Sequence, residues 1–309
     1  MIMISKSFEI NEDNINKRLD IFLTENLDGF SRGIVQKYIS LEQITVNKES
    51  SHKDYRLKLD DFIEVKIQAY ENNEDEAQEI DLETVFENED FIVIDKPPGL
   101  TVHPGAGQRD QTLINGLIFK YPKLRSVERY GLVHRLDKDT SGLILIARNQ
   151  RAHSMITEMI QNRTISRSYK ALVHGVPISG ETIDKPIGRH PTNRLIFCVK
   201  EGGRESVTHF RVLKKFKNFS LLDISLETGR THQIRVHLKH KGYPIAGDKA
   251  YCKINTWKDS NKNELAAING LKRQALHAYS LAFNFDNEDF EFYSDLPQDI
   301  EECISHIQE

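Results

Sequence analysis

With 39% hydrophobic and 28% charged residues, the 309-residue chain has enough apolar material for a packed core and the composition of an ordinary globular protein. No apolar run approaches the roughly 20 residues that span a bilayer, and M-I-M-I-S-K-S-F lacks the layout of a secretory signal, so no membrane partner and a cytoplasmic location are expected. Cys198, Cys252 and Cys303 are odd in number and form no C-x-x-C pair, which excludes a disulfide scaffold or zinc ribbon as a reading.

The net charge of −4 conceals a strong segregation. Residues 67–94 carry ten acids and no Lys or Arg, and residues 274–309 carry nine acids and again no Lys or Arg. The stretch from Asp95 to Arg273 therefore holds 32 basic against 15 acidic residues, an excess of +17. A field of that size attracts polyanions, and nucleic acid is the expected partner.

In chain order, N-K-R-L-D-I-F-L-T-E-N (16–26) spaces Leu19, Phe22 and Leu23 as a helix does. Ser31 caps a second predicted helix, R-G-I-V-Q-K-Y-I-S, with Ile34, Val35, Tyr38 and Ile39 on one face and Arg32, Gln36 and Lys37 on the polar side. I-T-V-N-K-E and D-D-F-I-E-V-K-I then alternate as strands. This αα-ββ pattern over residues 1–67 resembles the S-four-like RNA-binding module first seen in a small-subunit ribosomal protein, which makes Arg32 and Lys37 candidate RNA contacts. Residues 68–80 read as an acidic linker. Beyond it, residues 81–309 contain short β-like runs at 91–95, 143–147, 169–175, 206–213 and 220–226, with one helical stretch from Asn149 to Asn162. Strands outnumber helices without βαβ alternation, so the expected class is α+β with a mixed, largely antiparallel central sheet bearing a catalytic cleft.

Two segments concentrate chemistry. In G-L-V-H-R-L-D-K-D-T-S-G-L-I-L-I-A-R (131–148), His134, Arg135, Asp137, Lys138 and Asp139 sit between apolar arms. Flanking cations would keep a partly buried Asp137 ionised, as a nucleophile or general base. A structural ion-pair cluster has the same appearance, and the loop alone does not separate the two readings. In E-T-G-R-T-H-Q-I-R-V-H-L (227–238), Thr228 and Gly229 make a bend that frees Arg230 to fork onto a carboxylate or phosphate. Q-I-R-V-H-L reads as an alternating strand, on which His232 and His237 face opposite sides and share no metal. Tyr169 lies among Arg163, Arg167 and Lys170, suited to stacking on a base beside a phosphate-binding strip, though an ordinary core tyrosine would read the same way. The Pro/Gly-rich D-K-P-P-G-L-T-V-H-P-G-A-G (95–107) has neither nucleotide-binding glycine pattern, so no cofactor is expected.

H-R-L-D-K-D-T-S-G, D-K-P-P-G-L-T-V-H-P, Y-K-A-L-V-H-G, T-G-R-T-H-Q-I-R-V-H and R-Q-A-L-H-A (273–278) together resemble the large-subunit ribosomal RNA pseudouridine synthases, most closely their RluD-type branch. The resemblance spans nearly the whole chain. It implies isomerisation of uridine to pseudouridine in ribosomal RNA by a monomer without metal or cofactor. It places Asp137 as the catalytic aspartate, Tyr169 against the target base, Arg230 as the arginine paired with the aspartate, and Leu276 in the wall of the uracil pocket. Arg135 would occupy the space the flipped base leaves, with His134 beside it in the substrate-binding set. The competing readings are a non-catalytic RNA-binding or ribosome-assembly factor and a base-releasing glycosidase using Asp137 and Asp139.

Overall fold

The computed structural model describes residues 2–27, 30, 32–69, 75–105, 108–193, 195–252 and 262–308. The chain forms two compact units, Met1–Glu76 and Ala77–Glu309.

The first unit runs β1 (Ile2–Glu9), α1 (Leu19–Asn26), α2 (Arg32–Ser40), β2 (Ile44–Val46), β3 (Glu49–Ser50) and β4 (Phe62–Ala69). Its sheet has the order β1-β4-β2-β3, antiparallel throughout. The αα-ββ expectation lacked β1, which pairs with β4 from Ile2↔Ala69 to Glu9↔Phe62. The apolar half of β1 is continuous and its polar half holds only Phe8, so neither structural period stands out. β4 also takes in two residues of the expected linker. Leu19 and Leu23 of α1, Val35 and Ile39 of α2, and Ile63, Val65 and Ile67 of β4 form the core. Asp20 is wholly buried among them and accepts hydrogen bonds from Arg18 (3.0 and 3.1 Å), Arg32 (3.0 Å) and Gln36 (2.6 Å). Burial alone would raise its pKa, but those donors outweigh it and hold the group down to about 2. Arg32 is thus tied to a buried carboxylate while its side chain stays half exposed. The Ser31 cap and the side chains of Ile34 and Lys37 lie outside the described residues.

In the second unit the strands are β5 (Glu83–Glu87), β6 (Phe91–Lys96), β7 (Ser141–Ala147), β8 (Ser166–His174), β9 (Glu181–Asp184), β10 (Ile187–Arg189), β11 (Phe197–Val199), β12 (Val207–Lys215), β13 (Phe219–Leu226), β14 (Leu276–Phe285) and β15 (Glu288–Tyr293). The helices are α3 (Leu113–Lys120), α4 (Gln150–Gln161), α5 (Gln233–His240), α6 (Lys262–Gly270) and α7 (Gln298–Gln308). The main sheet has the order β5-β6-β7-β14-β8-β13-β12-β9, with β15 also on β14. All its pairings are antiparallel except β7–β14, so the mixed, largely antiparallel sheet of an α+β fold is observed. β6 and β7 are buried on both faces. Phe91, Val93, Leu143 and Leu145 pack toward Ala152 and Ile156 of α4, while Ile92, Ile94, Ile144 and Ile146 join the cluster containing α3. Two-sided burial explains why both strands read as unbroken apolar runs. Asn149 caps α4 by accepting the Ala152 N–H at 2.8 Å.

One element contradicts the sequence reading. Q-I-R-V-H-L is not a strand but the body of α5. Gln233 to Leu238 are buried on every side, so the helix shows no polar face, and Ile234, Val236 and Leu238 mimic strand alternation. The acidic C-terminal stretch is part of the folded second unit. It builds β15 and α7, whose Ile300, Cys303, Ile304 and Ile307 are buried in the core.

Candidate active site

The loop from Leu132 to Thr140 leads into β7, with Leu132 bridging Ile146 and the Thr140 N–H closing a turn on the Asp137 carbonyl at 3.1 Å. Each peptide after Asp137 is held from a distant part of the sequence. The fully buried Lys96 donates to the carbonyls of Pro97 (2.7 Å), Leu100 (3.0 Å) and Lys138 (3.0 Å). Burial pulls the Lys96 pKa down to about 7, an effect the carboxylates of Asp139, Asp137 and Asp95 only partly offset. Arg273 grips the Asp139 carbonyl (3.2 Å) and the Ser141 hydroxyl (3.2 Å), while its Nε and Nη2 fork onto Asp299 at 2.7 and 2.8 Å. Gln274 donates to the Thr140 hydroxyl at 3.2 Å. Gly142 has φ +110, and a β-carbon there would lie 2.2 Å from the Ala278 carbonyl oxygen, so the close pass of β14 requires glycine.

Asp137 itself, 15% exposed at its side chain, accepts from Arg235 Nη1 at 2.9 Å. Arg235, projecting from α5, forks its Nε and Nη2 onto Asp248 at 2.7 and 2.9 Å. Asp248 is fully buried and also accepts the backbone N–H groups of Ala250 and Tyr251. Burial opposes the Arg235 charge, but the hydrogen bonds and charges of Asp248 and Asp137 more than reverse this and raise its pKa. The arginine on Asp137 is therefore Arg235, not Arg230. Arg230 spends its Nε on the Glu205 carbonyl (3.0 Å) and its backbone N–H on Gln233 (3.0 Å). The helix explains the difference, because its first turn aims residue 235 inward and leaves residue 230 before the helix begins. Arg135 and Lys138, the sequence neighbours expected to neutralise Asp137, are exposed, and Lys138 reaches Gln108 instead.

Asp137 opens on a cavity of about 670 Å³ that it shares with His134, Arg135, Tyr169, Arg230 and Leu276. Seven arginines line it against three carboxylates, Asp137, Glu205 and Glu227. Tyr169 is opposite Ala278 in the β8–β14 ladder and Leu276 is opposite Ala171, so Tyr169 and Leu276 are diagonal neighbours on one face. Both are buried. His232, in a left-handed conformation at the start of α5, places its Nε2 3.9 Å from Asp137 while its Nδ1 meets the Tyr251 hydroxyl at 2.8 Å. Burial lowers the His232 pKa, with Asp137 acting against the shift.

Residues 90–240 match the family model described as RNA pseudouridylate synthase. Over 312 aligned residues the chain is 36% identical to ribosomal large subunit pseudouridine synthase D of Haemophilus influenzae, covering 100% of this chain and 96% of that protein. The chain is a member of the RNA pseudouridylate synthase family. A relative of the same printed name from Xanthomonas campestris is 38% identical over 296 residues, 95% of this chain and 89% of its own. The solved human RNA pseudouridylate synthase domain containing 1 superposes with a TM-score of 0.57 at 27% identity, covering 72% of this chain and 87% of that one.

In this pseudouridine synthase the sequence reading named Asp137, Tyr169, Leu276, His134 and Arg135, and the fold gathers all five around one cavity. It did not single out Arg235, Asp248, Lys96 or Arg273. Arg235 and Lys96 stood inside the motifs already quoted. Asp248 had only the G-D of P-I-A-G-D-K-A-Y to mark it. At Gly247, φ is +74 and a β-carbon would lie 2.1 Å from the Arg273 carbonyl oxygen, so the loop bearing Asp248 touches the segment bearing Arg273 there. His134 acts mainly on the protein: its Nε2 accepts the Leu145 N–H at 2.9 Å, and burial drives its pKa down to about 3. His237, bonded to Thr208 at 2.9 Å and to the Lys185 carbonyl at 2.9 Å, is a structural histidine.

Proposed function

We propose that this synthase isomerises specific uridines of large-subunit ribosomal RNA to pseudouridine, with Asp137 as the catalytic carboxylate. The observation that carries the reading is the chain Asp248–Arg235–Asp137, which presents one carboxylate into an arginine-lined cavity walled by Tyr169 and Leu276. The relatives named above act, by their names, on the ribosomal large subunit.

A stacked uridine cannot reach Asp137, so the base must flip out of the RNA into the cavity. Tyr169 then stacks on the uracil ring and Leu276 closes its edge. Asp137 assists cleavage of the bond between nitrogen-1 and the sugar. The detached uracil turns within the pocket and rejoins through carbon-5, whose hydrogen leaves as a proton while nitrogen-1 takes one up. Atoms and electrons balance without an external reagent. Arg235 holds the carboxylate in place, and exposed Arg135 fills the space the base vacates. In the first unit, Arg32 and Lys37 contribute to RNA contact.

Asp137→Asn tests the assignment. The variant should make no pseudouridine when returned to a strain lacking the protein, while binding ribosomal RNA within a few-fold of wild type. Substantial product from Asp137→Asn would refute the catalytic role. Free uracil as the product would instead establish the glycosidase reading.

A further inference from the structure

Three basic residues flank Tyr169 in the sequence, and the structure gives each a different fate. Arg163 is paired with Glu205 at 2.6 Å and with Glu227. Lys170 faces the other side of β8 and lies over the Tyr279 ring, 4.6 Å from its centroid. Arg167 is two residues before Tyr169 and shares its face of the strand. It is only 5% exposed, yet among the described residues its side chain makes neither a hydrogen bond nor an ion pair, and its Nε is sealed from solvent without a partner.

A guanidinium cannot shed its proton, so leaving it buried and unpaired is unfavourable. No carboxylate of the cavity is free to offset that cost. Asp137 is held by Arg235, Glu205 by Arg163, and Glu227 by Arg163 and His209. Beside Arg167 stands a second orphan donor. His134 Nε2 accepts from the Leu145 amide, so the ring proton of the neutral imidazole is on Nδ1, which is buried and without an acceptor. The field of Arg167 adds to burial in keeping that ring neutral. On the open side, Nη1 of Arg167 would lie 3.1 Å from a β-carbon placed at Gly229, so the bareness of that glycine leaves room there.

A permanent cation and an adjacent unfilled donor in one cavity call for an anion. We propose that Arg167 binds a backbone phosphate flanking the flipped uridine, with His134 as the neighbouring donor. The proposal rests on RNA entering this cavity beside Tyr169. Phosphate matches the planar fork of the guanidinium and supplies the missing charge. The unliganded protein carries the cost of the unpaired cation, and RNA relieves it.

The test compares full-length wild type, Arg167→Gln, Arg167→Lys and Asp137→Asn on a synthetic hairpin RNA with uridines in its loop, over a series of salt concentrations. Arg167→Gln should weaken binding about tenfold at low salt and reduce the slope of log affinity against log salt by roughly 0.7–0.9, one phosphate's worth. Arg167→Lys should keep the slope. Without RNA, Arg167→Gln should melt no lower than wild type, since it removes an uncompensated charge. Weaker binding with an unchanged slope would mean that a base carbonyl, not a phosphate, meets Arg167, and would overturn the proposal. A lower melting temperature with the slope retained would make Arg167 a structural cation and overturn it as well. Product formation by Asp137→Asn would sink the catalytic reading instead, and is read separately from the salt slope.

Discussion

Replacing Arg235 with lysine keeps the charge and removes the fork. Three charge-assisted hydrogen bonds leave the guanidinium, two to Asp248 and one to Asp137. A single ammonium on a flexible stem cannot serve both carboxylates, so at least two of the three bonds are lost. At about 1.5–3 kcal/mol each, that amounts to about 3–6 kcal/mol. The part expressed in stability should lower the melting temperature of the second unit, by ~6–12 °C for 3 kcal/mol. The part expressed in catalysis comes from the loss of Asp137 positioning, for which a displacement of about 1 Å costs ~100-fold in kcat. Release of tritium from carbon-5 of uridine in ribosomal RNA measures the chemistry, and a filter-binding titration measures RNA affinity. Arg235→Lys should lose ~100-fold in kcat with affinity within roughly threefold. Arg230→Lys gives up only the bond to the Glu205 carbonyl, and should retain kcat within roughly threefold. The reverse pattern, with chemistry lost at 230 and kept at 235, would refute the pairing on which the site has been built.

Lys96 gives a pH signature. Its folded pKa, near 7 against 10.5 unperturbed, means the folded chain binds fewer protons than the unfolded chain across that window. This residue therefore makes stability rise with pH from about 7 to about 10.5, and denaturant titrations of Lys96→Met should show a shallower rise than wild type. Asp20 makes stability rise with pH as well, but in the acid range. Its carboxyl is held near 2, so its stabilisation is complete above about 3.8 and is lost as pH falls toward 2. Asp20→Asn should cost the first unit ~2 kcal/mol at neutral pH, read as faster amide hydrogen exchange in α1 and α2 of the full-length protein. Unchanged exchange would show that Arg18, Arg32 and Gln36 hold the helices without it.

Strands with two buried faces and the capped helix at Asn149 were legible because local pattern and tertiary environment agree. The Asp137 loop stood out as five ionisable groups between apolar arms, but only the motifs elsewhere in the chain set it apart from a structural ion-pair cluster. The partner of Asp137 was not legible, because residue 230 and residue 235 differ only in where a helix begins, and α5 hides its period by being buried on all sides. Asp248, Lys96 and Arg273 were out of reach for another reason. Lys96 reaches the Lys138 carbonyl across 42 residues and Arg273 the Asp139 carbonyl across 134, and Asp248 is one carboxylate in a loop of ordinary composition. The acidic C-terminal segment was read by its charge, but its work is done by the alternate apolar residues of β14, β15 and α7.

The position of β14 has a consequence for how the enzyme comes into being. Strands β5, β6 and β7 form one ribbon and β8, β13, β12 and β9 another, and among the described residues only β14 hydrogen-bonds to both. A chain emerging from its amino end can present Asp137 on the first ribbon and Tyr169 on the second well before residue 276 has been made. Until then no ladder among the described residues joins the two ribbons, Leu276 is missing from the wall, and Arg273 has no Asp299 to hold it against the Asp137 turn. Docking of this strand welds the halves together and completes the cavity wall in the same step, so the cavity cannot form before β14 has been made.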